Sequence, residues 1–161
     1  MSIKVGDRLP ETKFRVMTTE GPAWKSTDDI FKGRKVALFG VPGAFTPTCS
    51  NLHMPSFLNN IGAFKSKGVD SVAVTAVNDV FVMEAWKKAS GADGKIDFLA
   101  DGNGEFAKGI DLVMDGSAGG LGTRVKRFSM LVDNGVVKAI NVEDAPGKCE
   151  LTSGQALLNQ V

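Results

Sequence analysis

The sequence predicts an α/β fold in which a mixed central β-sheet is flanked by helices on both faces. Two apolar runs, at 36–41 and at 69–77, are predicted to be buried strands, and the second is also rich in β-branched residues. A segment with helical spacing follows at 79–89. Near the C-terminus, Asn134-Gly135 separates two further apolar runs, which is the strongest short signal for a β-hairpin. Strands that alternate with helices favour parallel pairing, and the hairpin adds an antiparallel pair.

The elements before the first buried strand are short. Residues 3–10 predict an extended entry segment that ends at Pro10. Charged and apolar side chains alternate at 13–17, which is typical of a half-buried strand, and a turn is predicted at 18–22. Ser26 and the Thr-Asp-Asp that follows it are typical of the start of a short helix, predicted to end near Gly33.

The central strand leads into a helix. The strand stops at Pro42, and Pro47 suits the first turn of a helix with Thr46 at the N-cap position. We predict that this helix runs to about residue 67. Pro55 should bend it, because proline removes a backbone donor and crowds the preceding turn.

In the second half of the chain, the helix at 79–89 places Val82, Ala85, Trp86 and Ala89 on one face, and Trp86 is assigned to the core or an interface. The remaining predictions are a strand at 96–100, a short helix at 105–110, a Gly-rich loop at 115–122, the hairpin strands at 128–133 and 136–142, and a last helix at 153–161. No internal repeat or linker is visible, so a single domain covering 1–161 is expected.

Composition narrows the function classes. The 161 residues are 43% apolar and 23% charged, with a net charge of +1 and no basic or acidic block. This gives no electrostatic argument for binding nucleic acid or an anionic membrane. No apolar run approaches the length of a transmembrane helix, and the N-terminus lacks the apolar core of a signal peptide, so a cytoplasmic protein is expected.

The chain has two cysteines, Cys49 and Cys149. In a reducing compartment such as the cytoplasm, cysteines are more often catalytic, redox-active or simply buried than joined in a permanent disulfide. With one histidine and no short ligand spacing, a zinc site is not expected. Cys49 falls in the first turn of the predicted helix, where unpaired N–H groups and the helix dipole favour a thiolate. The alternative is a buried structural cysteine, which is the commoner state of a free cysteine.

A family resemblance adds to these patterns. The string P-G-A-F-T-P-T-C, from Pro42 to Cys49, resembles the P-x-x-x-T-x-x-C signature of peroxiredoxins. The longer G-V-P-G-A-F-T-P-T-C-S is similar to the peroxiredoxin-5 (type II, atypical) subfamily. Three other strings resemble the same subfamily in the same order, so the resemblance covers nearly the whole chain: K-V-G-D near the start, V-N-D-V-F-V-M from Val77, and R-F-S-M-L-V-D-N-G-V-V-K-A from Arg127.

The resemblance implies a thioredoxin-like fold and an antioxidant thiol peroxidase without metal or organic cofactor. Cys49 would be the peroxidatic cysteine, oxidised by hydrogen peroxide or alkyl hydroperoxides to a sulfenic acid. Glutathione with glutaredoxin, or thioredoxin, would regenerate it. A homodimer is also implied, through the edge where the loops near Phe45 and Val80-Phe81 would meet. An alternative from another class is a non-enzymatic redox sensor that is switched by oxidation of Cys49.

The signature also implies roles for Thr46 and Pro42. The Thr46 hydroxyl can accept a hydrogen bond on one side and donate on the other, and by resemblance it is the active-site threonine. Pro42, the first residue of the signature, is expected to shield the thiolate from water. The simpler interpretations, an N-cap for Thr46 and a strand terminator for Pro42, are compatible with these roles.

A guanidinium is the expected partner of the thiolate, because it is permanently charged and offers several donors. Arg124, Lys126 and Arg127 lie close together, and strand alternation puts Arg124 and Lys126 on one face and Arg127 on the other. Periodicity does not choose among them. The resemblance implies Arg127, the arginine directly before F-S-M, and the other two are expected on a solvated face.

His53 and Cys149 complete the candidates. His53 is four residues after Cys49 and shares its helix face, where a packing or hydrogen-bonding role is favoured over direct catalysis. Cys149, in P-G-K-C-E, is a candidate resolving cysteine. Some subfamily members carry one about two residues further on, whereas many relatives have an apolar residue in this string. We therefore expect one-cysteine catalysis, with an external thiol as the resolving group.

Overall fold

The computed structural model describes all 161 residues. Its strands are β1 (Lys13–Thr18), β2 (Gly21–Ser26), β3 (Lys35–Gly40), β4 (Ser71–Ala76), β5 (Asp97–Ala100), β6 (Val113–Asp115), β7 (Thr123–Val125), β8 (Phe128–Asp133) and β9 (Val136–Val142). Its helices are α1 (Thr27–Phe31), a π-helical turn (Cys49–His53), α2 (Met54–Leu58), α3 (Ile61–Ser66), α4 (Val80–Ala89), α5 (Glu105–Gly109), a 3₁₀ turn (Ser117–Gly119) and α6 (Gly154–Leu158). None of the helices is both long and apolar enough to cross a membrane.

Seven of the strands form one sheet in the order β2-β1-β5-β4-β3-β8-β9. The central strands β3, β4 and β5 pair in parallel, and the other neighbours are antiparallel. The predicted mixed sheet is therefore confirmed. Strands β6 and β7 form a separate two-stranded hairpin beside it.

Each face of the sheet carries its own apolar core, because successive strand residues point to opposite faces. On β3, Ala37 and Phe39 join the core that packs against α2, α3, α4 and α6. Val36 and Leu38 join the core on the other face, with side chains from α1 and α5. The expectation of helices on both faces is confirmed.

The hairpin prediction is also confirmed. Asn134 and Gly135 connect β8 to β9 with φ values of 51° and 79°, the positive values that a tight type I′ turn requires. The Asn134 side chain also accepts a hydrogen bond from the N–H of Gly33 at 2.7 Å. Ser26 caps α1 in a capping box with Asp29, as its sequence indicates.

Three strands were not predicted. The turn expected at 18–22 is shorter, and Gly21 and Pro22 instead begin β2, an edge strand where proline is tolerated. The Gly-rich loop expected at 115–122 is the end of the β6–β7 hairpin. Strands β6 and β7 have three residues each, and β2 opens with a turn signal, so pairing with the neighbouring strand rather than composition determines all three.

The buried face of α4 differs from the predicted one. Val80, Met83 and Trp86 are buried, whereas Ala85 and Ala89 are exposed. Val80, Met83 and Trp86 bury more apolar surface than the alanines would. Trp86 is 1% exposed, so its assignment to the core is confirmed.

The helix after β3 begins at Pro47 and is interrupted twice before it ends at Ser66. The π-helical turn directs the N–H of Met54 to the carbonyl of Cys49. This wider turn lies immediately before Pro55, whose missing donor and bulky ring a regular α-helix would not accommodate. The bend predicted at Pro55 is thus a π-helical turn that begins at Cys49.

Candidate active site

Cys49 lies in the first turn of the helix that follows β3, as predicted, and it is completely buried. Val41 and Pro42 continue from β3 into the interior, and the chain then turns through Phe45, whose φ is 65°. The strand can approach β8 closely here only because Gly40 has no side chain: a Cβ at that position would overlap the Phe128 ring. Cys49 belongs to the apolar core between this face of the sheet and the helices.

Thr46 stands at the start of the helix, but its side chain does not cap it. The hydroxyl donates to the carbonyl of Gly43 at 2.6 Å, and the Thr46 carbonyl accepts from the N–H of Ser50 at 2.9 Å. The expected side-chain N-cap is thus wrong. Because the hydroxyl hydrogen is already used, the oxygen of Thr46 offers only acceptor lone pairs to a neighbour.

Arg127 contacts the cysteine directly. It is 2% exposed, and its Nη2 donates to the sulfur of Cys49 at 3.1 Å. Its Nε and Nη2 also donate to the carbonyl of Pro146, at 3.3 and 3.0 Å, and its Nη1 is 2.9 Å from Nδ1 of His53. No carboxylate lies within 4.0 Å of this buried guanidinium. The sulfur is therefore the neighbour that, as a thiolate, would compensate the buried charge.

His53 supports Arg127. Its Nε2 lies 2.8 Å from the carbonyl of Thr152, and a carbonyl only accepts, so Nε2 carries the hydrogen. Nδ1 is then a lone pair that accepts from Arg127. Burial, assisted by the charge of Arg127, lowers the pKa of His53 from 6.5 to about 3. The ring is neutral at physiological pH, which agrees with the expected hydrogen-bonding role.

The other two basic residues of this region have different surroundings. Lys126 is exposed, as expected, and it lies with Arg127 in the connection between β7 and β8, so strand alternation does not apply to either. Arg124 is half-buried, and its Nη1 donates to the carbonyl of Pro42 at 3.4 Å. The expected solvated position is therefore wrong for Arg124, which helps to hold the loop that contains Pro42.

Pro42 itself is buried just after β3, a position that fits its expected role in excluding water.

Cys149 is half-buried in the segment between β9 and α6, and both cysteines are free thiols. Burial raises the pKa of the Cys149 thiol, although the charge of Arg127 opposes this. The structure thus places Arg127 in direct contact with both Cys49 and His53, with Thr46 and Pro42 in the adjoining turn.

Sequence reasoning missed the groups that support this contact. The carbonyls of Pro146 and Thr152 accept from Arg127 and His53, and the buried carboxylate of Glu143 binds the segment that carries them. Backbone acceptors have no residue-type signature, so no sequence pattern could have indicated them. No group of three His, Cys, Asp or Glu side chains is arranged to hold a metal ion.

Comparisons with known proteins give one consistent family. Residues 4–158 match the Redoxin family. The chain is 44% identical to Peroxiredoxin-2E, chloroplastic, from Arabidopsis thaliana over 89% of the chain and 63% of that relative. It is 42% identical to Peroxiredoxin-2C from Oryza sativa subsp. japonica over 97% of the chain and 96% of that relative. The chain thus spans less than two thirds of the chloroplastic relative and nearly all of the other.

Solved structures give the same result. The crystal structure of reduced Prx3 in complex with H₂O₂ from Vibrio vulnificus superimposes with a TM-score of 0.92 at 43% identity, covering 98% of each chain. The structure of peroxiredoxin 5 from Alvinella pompejana gives a TM-score of 0.86 at 35% identity, covering 98% of this chain and 97% of that one. The similarity therefore includes every element that surrounds Cys49.

Proposed function

The chain belongs to the peroxiredoxins, thiol-dependent peroxidases with a thioredoxin-like fold, and we propose that it reduces hydrogen peroxide and alkyl hydroperoxides through Cys49. The Cys49 thiolate attacks the terminal oxygen of the hydroperoxide. The S–O bond forms as the O–O bond breaks, which leaves a sulfenic acid on Cys49 and an alkoxide or hydroxide that takes up a proton. The activity would contribute to antioxidant defence.

The observation that carries this proposal is the 3.1 Å contact between Nη2 of Arg127 and the sulfur of Cys49 in a fully buried site. A fixed positive charge favours the thiolate, and its N–H groups can follow the negative charge onto the leaving oxygen. Thr46 would accept a hydrogen bond from the peroxide, since its own hydrogen is held by Gly43. Pro42 would exclude water from the thiolate.

We assign the resolving step to an external thiol, glutathione with glutaredoxin or thioredoxin. The thiol condenses with the sulfenic acid and releases water, and a second thiol then reduces the mixed disulfide and restores Cys49. Two features of Cys149 support this assignment. Its half-buried thiol has a raised pKa, which lowers its thiolate fraction, and its segment is bound to Arg127 through Pro146. Because Cys49 is also buried, the first turn of its helix must open before any thiol can reach it.

The test of the reductant is a peroxide-consumption assay with each thiol system in turn. Sustained turnover with at least one of them is expected. Stoichiometric oxidation of Cys49 without turnover in any system would favour the redox-sensor alternative and contradict the proposed enzyme.

A homodimer and a cytoplasmic location are further proposals. Phe45 and Phe81 are 51% and 65% exposed, and the N–H of Ala44 donates to the side chain of Asn78 at 3.0 Å, so the two loops are adjacent. Exposed aromatic side chains of this kind are enriched at interfaces. Val80, in contrast, is buried and is not available to a partner. Sedimentation of the wild type and of Phe81→Asp tests the dimer, and a wild type that stays monomeric at every concentration would contradict it.

The relatives include chloroplastic and mitochondrial proteins, so cell fractionation must test the proposed cytoplasmic location.

A further inference from the structure

Glu143 is a buried carboxylate that the proposed reaction does not use. It follows β9 directly, is 6% exposed, and has no basic side chain within 4.0 Å. Its Oε2 accepts from the N–H of Glu150 (3.0 Å), from the N–H of Thr152 (2.9 Å) and from the Thr152 hydroxyl (2.7 Å). Its Oε1 accepts from the N–H of Leu151 at 3.3 Å. A buried carboxylate usually needs a cation beside it, but here four hydrogen-bond donors to the two carboxylate oxygens compensate for the loss of water.

All four donors lie at one end of residues 146–152, which we call the C-terminal segment. This segment contains no helix or strand. When the two residues before it are included, one backbone–backbone hydrogen bond lies within 144–152, from the N–H of Lys148 to the carbonyl of Ala145 at 3.2 Å. The Glu143 side chain therefore takes the place of regular secondary structure in fixing the path of this segment.

The C-terminal segment in turn supports the site. Arg127 makes four side-chain hydrogen bonds, of which one goes to the sulfur of Cys49. Two of the others go to the carbonyl of Pro146, and the last goes to His53. His53 is itself oriented by the carbonyl of Thr152. Every contact that holds the guanidinium against Cys49 thus depends on the segment, either directly or through His53.

We propose that Glu143 is a positioning residue for the peroxide reaction. Its carboxylate holds the C-terminal segment so that the carbonyls of Pro146 and Thr152 keep Arg127 and His53 aligned with Cys49. Its backbone N–H also donates to the carbonyl of Arg127 at 3.0 Å, so the two residues share a direct anchor. The inference rests on the proposed peroxidase function, because it concerns how Arg127 serves Cys49.

The first test is the single-turnover oxidation of reduced protein by hydrogen peroxide, followed by quenched-flow mass spectrometry of Cys49. Glu143→Gln keeps the shape but puts an amide donor among N–H donors, so the segment shifts and the oxidation rate should fall on the order of 10-fold or more. The matched control is Glu150→Gln, the same chemical change on an exposed side chain of the same segment, which should react at the wild-type rate.

A second measurement separates positioning from general stability. In an Arg127→Gln background, Glu143→Gln should change the oxidation rate by less than about twofold, since its effect acts through Arg127. Thr152→Val, which removes one hydrogen bond to Glu143, gives a milder variant should Glu143→Gln fail to fold. Its smaller loss should also disappear when Arg127 is replaced.

Two results would overturn the inference while leaving the peroxidase intact: a wild-type oxidation rate in Glu143→Gln and Thr152→Val, or the same fold-loss with and without Arg127. A wild-type protein whose Cys49 does not react with peroxide would overturn the proposed function first, and the inference with it. The two failures are therefore distinguishable.

Discussion

Nη1 of Arg127 donates to Nδ1 of His53 at 2.9 Å, and both side chains are almost completely buried. An arginine can donate to a histidine only while that nitrogen carries no proton, so the contact requires a neutral ring. The neutral form is secured from the other side, where Nε2 donates to the carbonyl of Thr152. The single histidine of the chain thus serves as an uncharged support for the buried guanidinium.

This relationship predicts how stability depends on pH. Burial lowers the pKa of His53 from its ordinary value of 6.5 to about 3 in the folded protein. Between these two pH values, the unfolded chain therefore binds a proton that the folded protein does not. Stability contributed by neutral His53 is present above pH 6.5 and is lost as the pH falls towards 3, by about 1.4 kcal/mol per pH unit. Urea unfolding at pH 4–7 of wild type and His53→Gln measures it. The variant should show a shallower slope, and parallel curves would contradict the assignment.

Arg127→Gln should slow the oxidation of Cys49 by about 10²-fold or more, because it removes a fixed charge from the thiolate and a donor from the leaving oxygen. Arg124→Gln is the control: it also removes a nearby arginine, but Arg124 contacts the carbonyl of Pro42 rather than the sulfur. Its loss should be far smaller. Stopped-flow oxidation measures both, and an equal or larger loss at Arg124 would mean that the wrong arginine has been assigned.

Thr46→Val should lower the oxidation rate by about 10²-fold, because valine matches the shape of threonine but cannot accept a hydrogen bond from the peroxide. Thr46→Ser keeps the oxygen and should retain most of the rate. The comparison uses the same single-turnover assay. If the serine variant lost as much as the valine variant, the methyl group and not the hydroxyl would be what the site requires.

Cys149→Ser should leave turnover with glutathione and glutaredoxin nearly unchanged, because the resolving thiol is external. After one equivalent of peroxide, non-reducing mass spectrometry of the wild type should find a sulfenic acid or a mixed disulfide on Cys49. A dominant Cys49–Cys149 disulfide, with thioredoxin-dependent turnover that disappears in Cys149→Ser, would instead assign the resolving role to Cys149.

The parts of the fold that the sequence predicted are those with local signals. The apolar run of β3, the Ser26 cap of α1 and the Asn134-Gly135 turn each carry their information within a few residues. The edge strand β2 was missed because it opens with Gly21-Pro22, which is a turn signal, and the hairpin of β6 and β7 was missed because each of its strands has three residues. The predicted face of α4 included Ala85 and Ala89 beside Trp86, since spacing alone does not weigh side-chain size.

The site divides in the same way. Pro42, Thr46 and Cys49 stand within eight residues, so a contiguous motif could identify them. Arg127 lies 78 residues from Cys49 and was chosen through the family resemblance, because strand alternation does not extend into the connection before β8. The support from Glu143 and from two backbone carbonyls was unpredictable, since it depends on how an irregular segment folds over the site.

The most direct measurement of the central claim is peroxide consumption by wild type and Cys49→Ser, under the conditions in which the wild type turns over with a thiol reductant. Serine is nearly isosteric with cysteine but cannot form a sulfenic acid, so the folded variant should consume peroxide no faster than the reductant alone. Circular dichroism and thermal unfolding establish that the variant has folded. Substantial peroxide turnover by folded Cys49→Ser would contradict the account, because the buried thiol beside Arg127 would then not be the group that reacts.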